Sequence, residues 1–131
     1  MSAVQGVAEV VLAVHNLEQA IAFYRDVLGL RQIPAPAGVK PVFLAAGSDD
    51  APIPQMVALV PLAAGTPAFS GPRTLHHLAL EVASDQFDGE VQRLSALGYT
   101  LRHGQHPVLP SRTVYLDDPD GNEVELICAA V

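Results

Sequence analysis

The sequence predicts an α+β fold made of two copies of one unit, each a strand, a helix and three further strands. Two segments have helical periodicity, and eight short β-branched segments are separated by Gly, Pro and Asp. Residues 9–14 also align with residues 77–82, which indicates an internal repeat. We expect the two units to share a core, because a unit of about sixty residues is too small to hold one alone.

Capping and stop residues mark the two predicted helices. Asn16 can cap the first helix, with Gln19 in the capping-box position, and Gly29 supplies the stop. The second helix begins near residues 84–85 and ends at Gly98. The apolar stripes of the two helices contain Leu17, Ile21, Tyr24 and Leu28, and then Phe87, Val91 and Leu94.

The remaining segments predict strands at roughly 7–14, 30–34, 40–46, 55–62, 75–82, 99–103, 112–117 and 123–128. The 131 residues are thus expected to form a single domain. Its first module covers about 6–62, a Pro/Gly/Thr-rich linker about 63–73, and its second module about 74–130.

Composition narrows the function classes. Lys plus Arg total 7 against 14 Asp plus Glu, a net charge of -7, which disfavours a nucleic-acid partner. The N-terminal residues do not resemble a signal peptide, and the apolar run 56–64 contains Pro61 and is too short to cross a membrane. With Cys128 as its single cysteine, the chain is expected to be cytoplasmic and not membrane-bound.

Strand alternation brings three polar residues to equivalent faces. Val10, Leu12 and Val14 form one apolar face of the first strand, so Glu9 points the other way. By the same reasoning His77 and Glu125 lie opposite the apolar residues of their strands. They are 48 residues apart, and the same spacing from Glu9 leads to Val57. The expected constellation is therefore three polar groups and one apolar gap.

Three segments carry a resemblance to a known family. Residues 14–30, which include FYRDVLGL, resemble the first-helix signature of the vicinal oxygen chelate superfamily. Residues 76–82 (HHLALEV) resemble the start of its second module, and YLDDPDGNEVEL at 115–126 is similar to its final turn and strand. The superfamily includes glyoxalases, extradiol dioxygenases and bleomycin-resistance proteins. The resemblance implies two βαβββ modules that form a cupped, barrel-like mixed sheet with two flanking helices.

The resemblance also implies a metal site and its chemistry. By position, the ligands are Glu9, His77 and Glu125, with Val57 at a fourth position where a ligand is often absent. One imidazole and two carboxylates suit a divalent ion such as Ni, Zn, Mn or Fe. Glu125 or Glu9 is then the catalytic base that moves a proton on a metal-polarised small oxygenated metabolite.

Further residues are candidates for contact with the small-molecule ligand. Tyr115 and Arg112 lie on the strand beside the last one and alternate faces, so only one of them points inward. Val57 adds an apolar contact. His76 precedes His77, and the strand pleat predicts that it turns away. The resemblance implies a homodimer.

Three functions stay open from sequence. The first is a metal-dependent enzyme of glyoxalase, isomerase or dioxygenase type. The second is a metal-free protein that binds a small molecule or antibiotic, in the manner of bleomycin-resistance proteins; the gap at Val57 and the acidic balance favour it. The third is a structural or regulatory relative without a working site.

Overall fold

The computed structural model describes residues 2–48 and 50–130, and it confirms the α+β fold with two βαβββ modules. All eight predicted strands and both helices are present, with strands shorter than most of the predicted ranges. The chain divides between Phe69 and Ser70 into two compact units, the first unit and the second unit.

The first unit contains one four-stranded sheet and one helix. Its elements are β1 (Glu9–Val14), α1 (Leu17–Ile21), β2 (Arg31–Gln32), β3 (Val42–Ala45) and β4 (Met56–Pro61). The strand order is β1-β4-β3-β2, and β1 pairs with β4 in parallel while the other pairs are antiparallel. The crossover from β1 through α1 makes this parallel pairing possible.

The first helix begins as predicted and continues in a different geometry. The Asn16 side chain accepts a hydrogen bond from the Gln19 backbone N–H at 3.0 Å, which confirms the cap. After Ile21 the chain forms a π-helical segment, Ala22–Val27, and the Leu28 N–H bonds the Phe23 carbonyl five residues back. The turn closes at Gly29, whose φ of 83° favours glycine.

The second unit repeats this arrangement. Its elements are β5 (Leu78–Glu81), α2 (Phe87–Ala96), β6 (Arg102–Gly104), β7 (Ser111–Asp117) and β8 (Glu123–Ala129). The strand order is β5-β8-β7-β6, with β5 and β8 parallel. Among residues 2–48 and 50–130, no helix has the length and apolar character needed to cross a bilayer.

Each sheet has one apolar face and one face of mixed chemistry, here called the second face. In β1, Leu12 and Val14 are buried while Glu9, Val11 and Ala13 are exposed, as the alternation predicted. The buried residues of the two apolar faces include Leu44, Val57 and Leu59, and then Val114, Leu116, Val124, Leu126 and Cys128. Burial of these side chains is the main stabilising contribution to each unit.

Candidate functional site

A histidine and a glutamate meet on the second face of the second unit. The parallel register places Ala79 beside Glu125, and His77 lies immediately before β5. The contact of its ring with the Glu125 carboxylate places His77 on the same face. The Nε2 atom of His77 lies 3.0 Å from Oε1 of Glu125. The structure thus brings together two of the three predicted metal ligands.

The carboxylate of this pair is buried. Glu125 is 3% exposed, and its Oε2 atom has no hydrogen-bond partner among the described residues. A buried polar atom without a partner costs about 1–3 kcal/mol. Such an atom calls for an explanation, and a bound ion or water and a catalytic role are among the usual ones.

The neighbouring His76 extends the pair. The Nδ1 atoms of His76 and His77 are 2.7 Å apart, so one ring donates a hydrogen bond and the other accepts it. The strand pleat predicted that His76 would turn away. Because β5 begins only at Leu78, strand alternation does not constrain the His76 ring, and this ring reaches His77.

Tyr115 lies on the same face as the pair. The β7–β8 register places it opposite Glu125, and its ring contacts the His77 ring edge to face, with centroids 5.9 Å apart. Burial raises the pKa of Tyr115, and the nearby Glu125 carboxylate adds to the increase, while Thr113 lowers it. The phenol therefore stays protonated and able to donate a hydrogen bond well above neutral pH.

Arg112, in contrast, lies on the apolar face of the sheet. Its guanidinium donates a hydrogen bond of 2.6 Å to Asp88 of α2 and lies 4.8 Å from the centroid of the Phe87 ring. The hydrogen bond and the charge of Arg112 lower the pKa of Asp88. Arg112 is therefore on the opposite side of the sheet from Tyr115, and it does not join the His77–Glu125 pair.

Val57 also lies on the apolar face. It is 2% exposed and pairs with Val10 across the parallel β1–β4 ladder. The 48-residue spacing between His77 and Glu125 does not carry over to the first unit. There β1 pairs with residues 47 positions later, whereas β5 pairs with residues 46 positions later. The pair Val11–Ala58 in the first unit corresponds to Ala79–Glu125 in the second. The position equivalent to Glu125 is therefore Ala58.

Glu9 is exposed on the second face of the first unit, beside Met56. The alternation of β1 places it there, on the face opposite Val10 and the buried Leu12. Its predicted roles as a metal ligand and as a base stay predictions.

The second unit supplies two donors that fit part of a divalent metal site. Two ligand atoms at about 2.1 Å from one octahedral ion lie about 3 Å apart, which matches the separation of His77 Nε2 and Glu125 Oε1. The unpartnered Oε2 atom is a further oxygen donor on the same carboxylate. Within residues 2–48 and 50–130, no three His, Cys, Asp or Glu side chains are arranged as a metal-binding group.

Two further residues of this face were not among the predicted metal ligands, bases and substrate contacts. Thr113 lies two residues before Tyr115 on β7, is buried, and has an Oγ1 atom without a partner among the described residues. Arg102 lies beside Tyr115 in the next strand and pairs with Asp117 at 2.8 Å and Glu123 at 3.6 Å. Because side chains alternate along a strand, Thr113 could have been predicted from Tyr115, which lies two residues later. The position of Arg102 follows only from the β6–β7 register.

Comparison with known proteins identifies the family of this chain. The sequence matches the family model of the Glyoxalase/Bleomycin resistance protein/Dioxygenase superfamily over residues 6–126. With its two βαβββ modules, the chain belongs to this superfamily.

Three solved structures illustrate the range of its relatives. A glyoxalase/dioxygenase from Nostoc punctiforme is 23% identical, with a TM-score of 0.77 and coverage of 97% of this chain and 92% of that one. Lactoylglutathione lyase from Agrobacterium tumefaciens is 27% identical, with a TM-score of 0.70 and coverage of 97% and 96%. TnmS3, an antibiotic-binding protein from Streptomyces sp. CB03234, is 24% identical, with a TM-score of 0.70 and coverage of 99% and 100%.

Proposed function

We propose that this protein is a metal-dependent enzyme acting on a small oxygenated metabolite, and that His77 and Glu125 hold its divalent ion. One observation carries the proposal: a buried carboxylate paired with an imidazole at 3.0 Å, with its second oxygen unpartnered among the described residues. An ion beside this pair would offset the cost of that buried oxygen. Nickel, zinc, manganese and iron all accept this kind of donor set.

The residues of the second unit have distinct roles in this proposal. A bound divalent ion would supply Lewis-acid polarisation of a carbonyl or enolate oxygen. The Glu125 carboxylate accepts the substrate proton and returns it, while His77, through Nε2, would hold the ion beside that carboxylate. Tyr115, protonated at neutral pH, donates a hydrogen bond to a substrate oxygen. Glu9 is proposed as a third ligand or alternative base, on the family resemblance alone.

Two relatives support different versions of this function. The lactoylglutathione lyase, at 27% identity over 97% of this chain, supports an enzyme. The antibiotic-binding relative supports the alternative, a metal-free protein that binds a small molecule or antibiotic. Ala58 favours this alternative, because the first unit has a methyl group where the second has the Glu125 carboxylate.

Metal stoichiometry tests the first proposal. The purified chain is exposed to Mn²⁺, Ni²⁺, Zn²⁺ or Fe²⁺, dialysed, and analysed for bound metal, with about one ion per chain expected. Glu125→Gln should weaken metal binding by about a hundredfold or more. This is a larger loss than usually follows removal of a residue that contacts only a ligand of the metal. The matched control is Glu123→Gln, two residues away on the same strand, which should bind as wild type. Glu9→Gln tests the third ligand.

Stoichiometry near zero with all four ions would refute the metal-dependent enzyme. The alternative then becomes testable by calorimetry of the metal-free protein with cationic glycopeptide antibiotics. Absence of heat at high micromolar ligand would count against that alternative as well.

A homodimer and a cytoplasmic location are further parts of the proposal. Superfamily members often form dimers, which supports the first. Light scattering after gel filtration measures the mass in solution, and a mass of 13.8 kDa at micromolar concentration would contradict the dimer.

A further inference from the structure

Gly104 occupies a position on β6 where a larger side chain would displace its neighbours. The β6–β7 register places it beside Thr113. A Cβ atom built on Gly104 would lie 2.6 Å from Cε2 of Tyr115 and 3.0 Å from Oγ1 of Thr113. Real Cβ atoms do not approach a ring this closely, so the Tyr115 ring lies where a side chain on residue 104 would otherwise be.

The place of the Tyr115 ring determines its other contacts. The ring packs against Gly104 and contacts the His77 ring edge to face, with the two ring centroids 5.9 Å apart. Its position on β7 is directly opposite Glu125. A shift of the ring away from β6 would therefore change its geometry relative to both members of the His77–Glu125 pair.

Thr113 gives an independent indication that this region binds a ligand. The residue is 2% exposed and shares the second face with Tyr115. Its hydroxyl interacts with the Tyr115 phenol closely enough to lower the pKa of Tyr115, but no partner among the described residues meets hydrogen-bond geometry. A buried hydroxyl normally has a partner, because an unpartnered one is costly. The Thr113 hydroxyl and the Tyr115 ring both lie against Gly104, so the two side chains are neighbours on the second face.

We propose that Gly104 is a positioning residue that seats the Tyr115 ring, and that Tyr115 and Thr113 together donate hydrogen bonds to one carbonyl or hydroxyl oxygen of the ligand. We call these three residues the oxygen subsite. The inference rests on the proposed function, since it takes the second face of the second unit as the place where a small oxygenated molecule binds.

The first test needs neither metal nor ligand. The imidazole proton resonances of His77 are compared in wild type, Gly104→Ala and Gly89→Ala by NMR. Gly89 is the matched control, since a Cβ there meets nothing within 4 Å. Gly104→Ala should move the His77 resonances through the altered ring current of Tyr115, and Gly89→Ala should not. Unmoved His77 resonances in Gly104→Ala would overturn the positioning role.

The second test measures binding of acetohydroxamate, a small molecule with adjacent carbonyl and hydroxyl oxygens, by calorimetry with and without Mn²⁺. Tyr115→Phe and Thr113→Val should each weaken binding by about fivefold to tenfold, the usual effect of one hydrogen bond. Thr113→Ser keeps the hydroxyl and should retain the wild-type affinity. Mn²⁺ stoichiometry should be the same in all variants, which separates a subsite defect from a metal defect.

The outcomes distinguish this inference from the proposed function. Wild type that binds no Mn²⁺ refutes the metal-dependent enzyme, and the same variants are then compared by acetohydroxamate affinity without metal. Wild-type affinity in both Tyr115→Phe and Thr113→Val overturns the oxygen subsite. A wild type that binds acetohydroxamate neither with nor without Mn²⁺ also overturns the oxygen subsite. If Gly104→Ala fails to fold, Tyr115→Phe and Thr113→Val, which introduce no clash, still decide the subsite.

Discussion

The two units have the same topology but different chemistry on their second faces. Leu59 of β4 and Leu126 of β8 occupy equivalent positions on the apolar faces, and both are buried. One residue earlier, on the second face, the first unit has Ala58 and the second has Glu125. The repeat therefore keeps the residues that pack the sheet and changes the residues that face away from this packing.

The helical segments differ in a related way. The first unit has five α-helical residues followed by a π-helical segment, which carries Phe23 and Tyr24 into the core with their rings edge to face. The second unit has a regular ten-residue helix that buries Phe87 and Leu94. Two helical geometries thus serve the same purpose, because the requirement on each is only to bury apolar area against the sheet.

The largest expected effect tests the part that the two units share. Leu59→Ala and Leu126→Ala should each lower the free energy of unfolding by about 2–5 kcal/mol, because each leaves a cavity in a packed face. Urea unfolding monitored by circular dichroism measures both. A cost below about 1 kcal/mol in either variant would show that the two apolar faces are not equivalent.

A smaller effect tests the part that differs. Glu125→Gln keeps the side-chain volume and the hydrogen bond to His77 but removes a buried charge with an unpartnered oxygen. We expect the metal-free protein to become more stable by about 1 kcal/mol, whereas metal binding weakens by about a hundredfold or more. The same urea experiment, run with chelator present, measures it. If the variant is less stable than wild type, Glu125 stabilises the fold. It would then resemble Ala58, which is buried at the equivalent position of the first unit.

Local rules made most of the fold predictable. The Asn16 cap, the stops at Gly29 and Gly98, and the alternation that separates Glu125 from Leu126 depend only on neighbouring residues. Val57 was misplaced because β1 pairs with residues 47 positions later, whereas β5 pairs with residues 46 positions later, and a one-residue change in register reverses the face.

The site depends more strongly on non-local structure. Sequence spacing showed that Tyr115 and Arg112 take opposite faces, but the contacts of Arg112 with Asp88 and Phe87 determine which face each one takes. The unpartnered oxygens of Thr113 and Glu125 depend on the side chains that cover them, which no local pattern encodes.

The smallest expected effects are changes in Tm when one ion pair from each unit is removed. Arg112 lowers the pKa of Asp88, and Arg25 lowers the pKa of Asp26, in each case mainly through a side-chain hydrogen bond. A carboxyl group with a lowered pKa in the folded state stabilises the protein above its unfolded pKa of about 3.9, and this contribution is lost as pH falls through the folded pKa. Asp88→Asn should therefore lower Tm at pH 7 and have less effect at pH 3.

Asp26→Asn should change Tm less than Asp88→Asn does. Arg25 and Asp26 are adjacent in sequence, so much of their attraction persists in the unfolded chain, whereas Arg112 and Asp88 meet only when β7 and α2 are packed together. Asp88 also lies in the first turn of α2, where the helix dipole favours a carboxylate with the same dependence on pH. Because both pairs are exposed, 1 M salt should reduce both effects. An equal Tm loss in the two variants at pH 7 would show that the contact between α2 and β7 adds nothing to the pair.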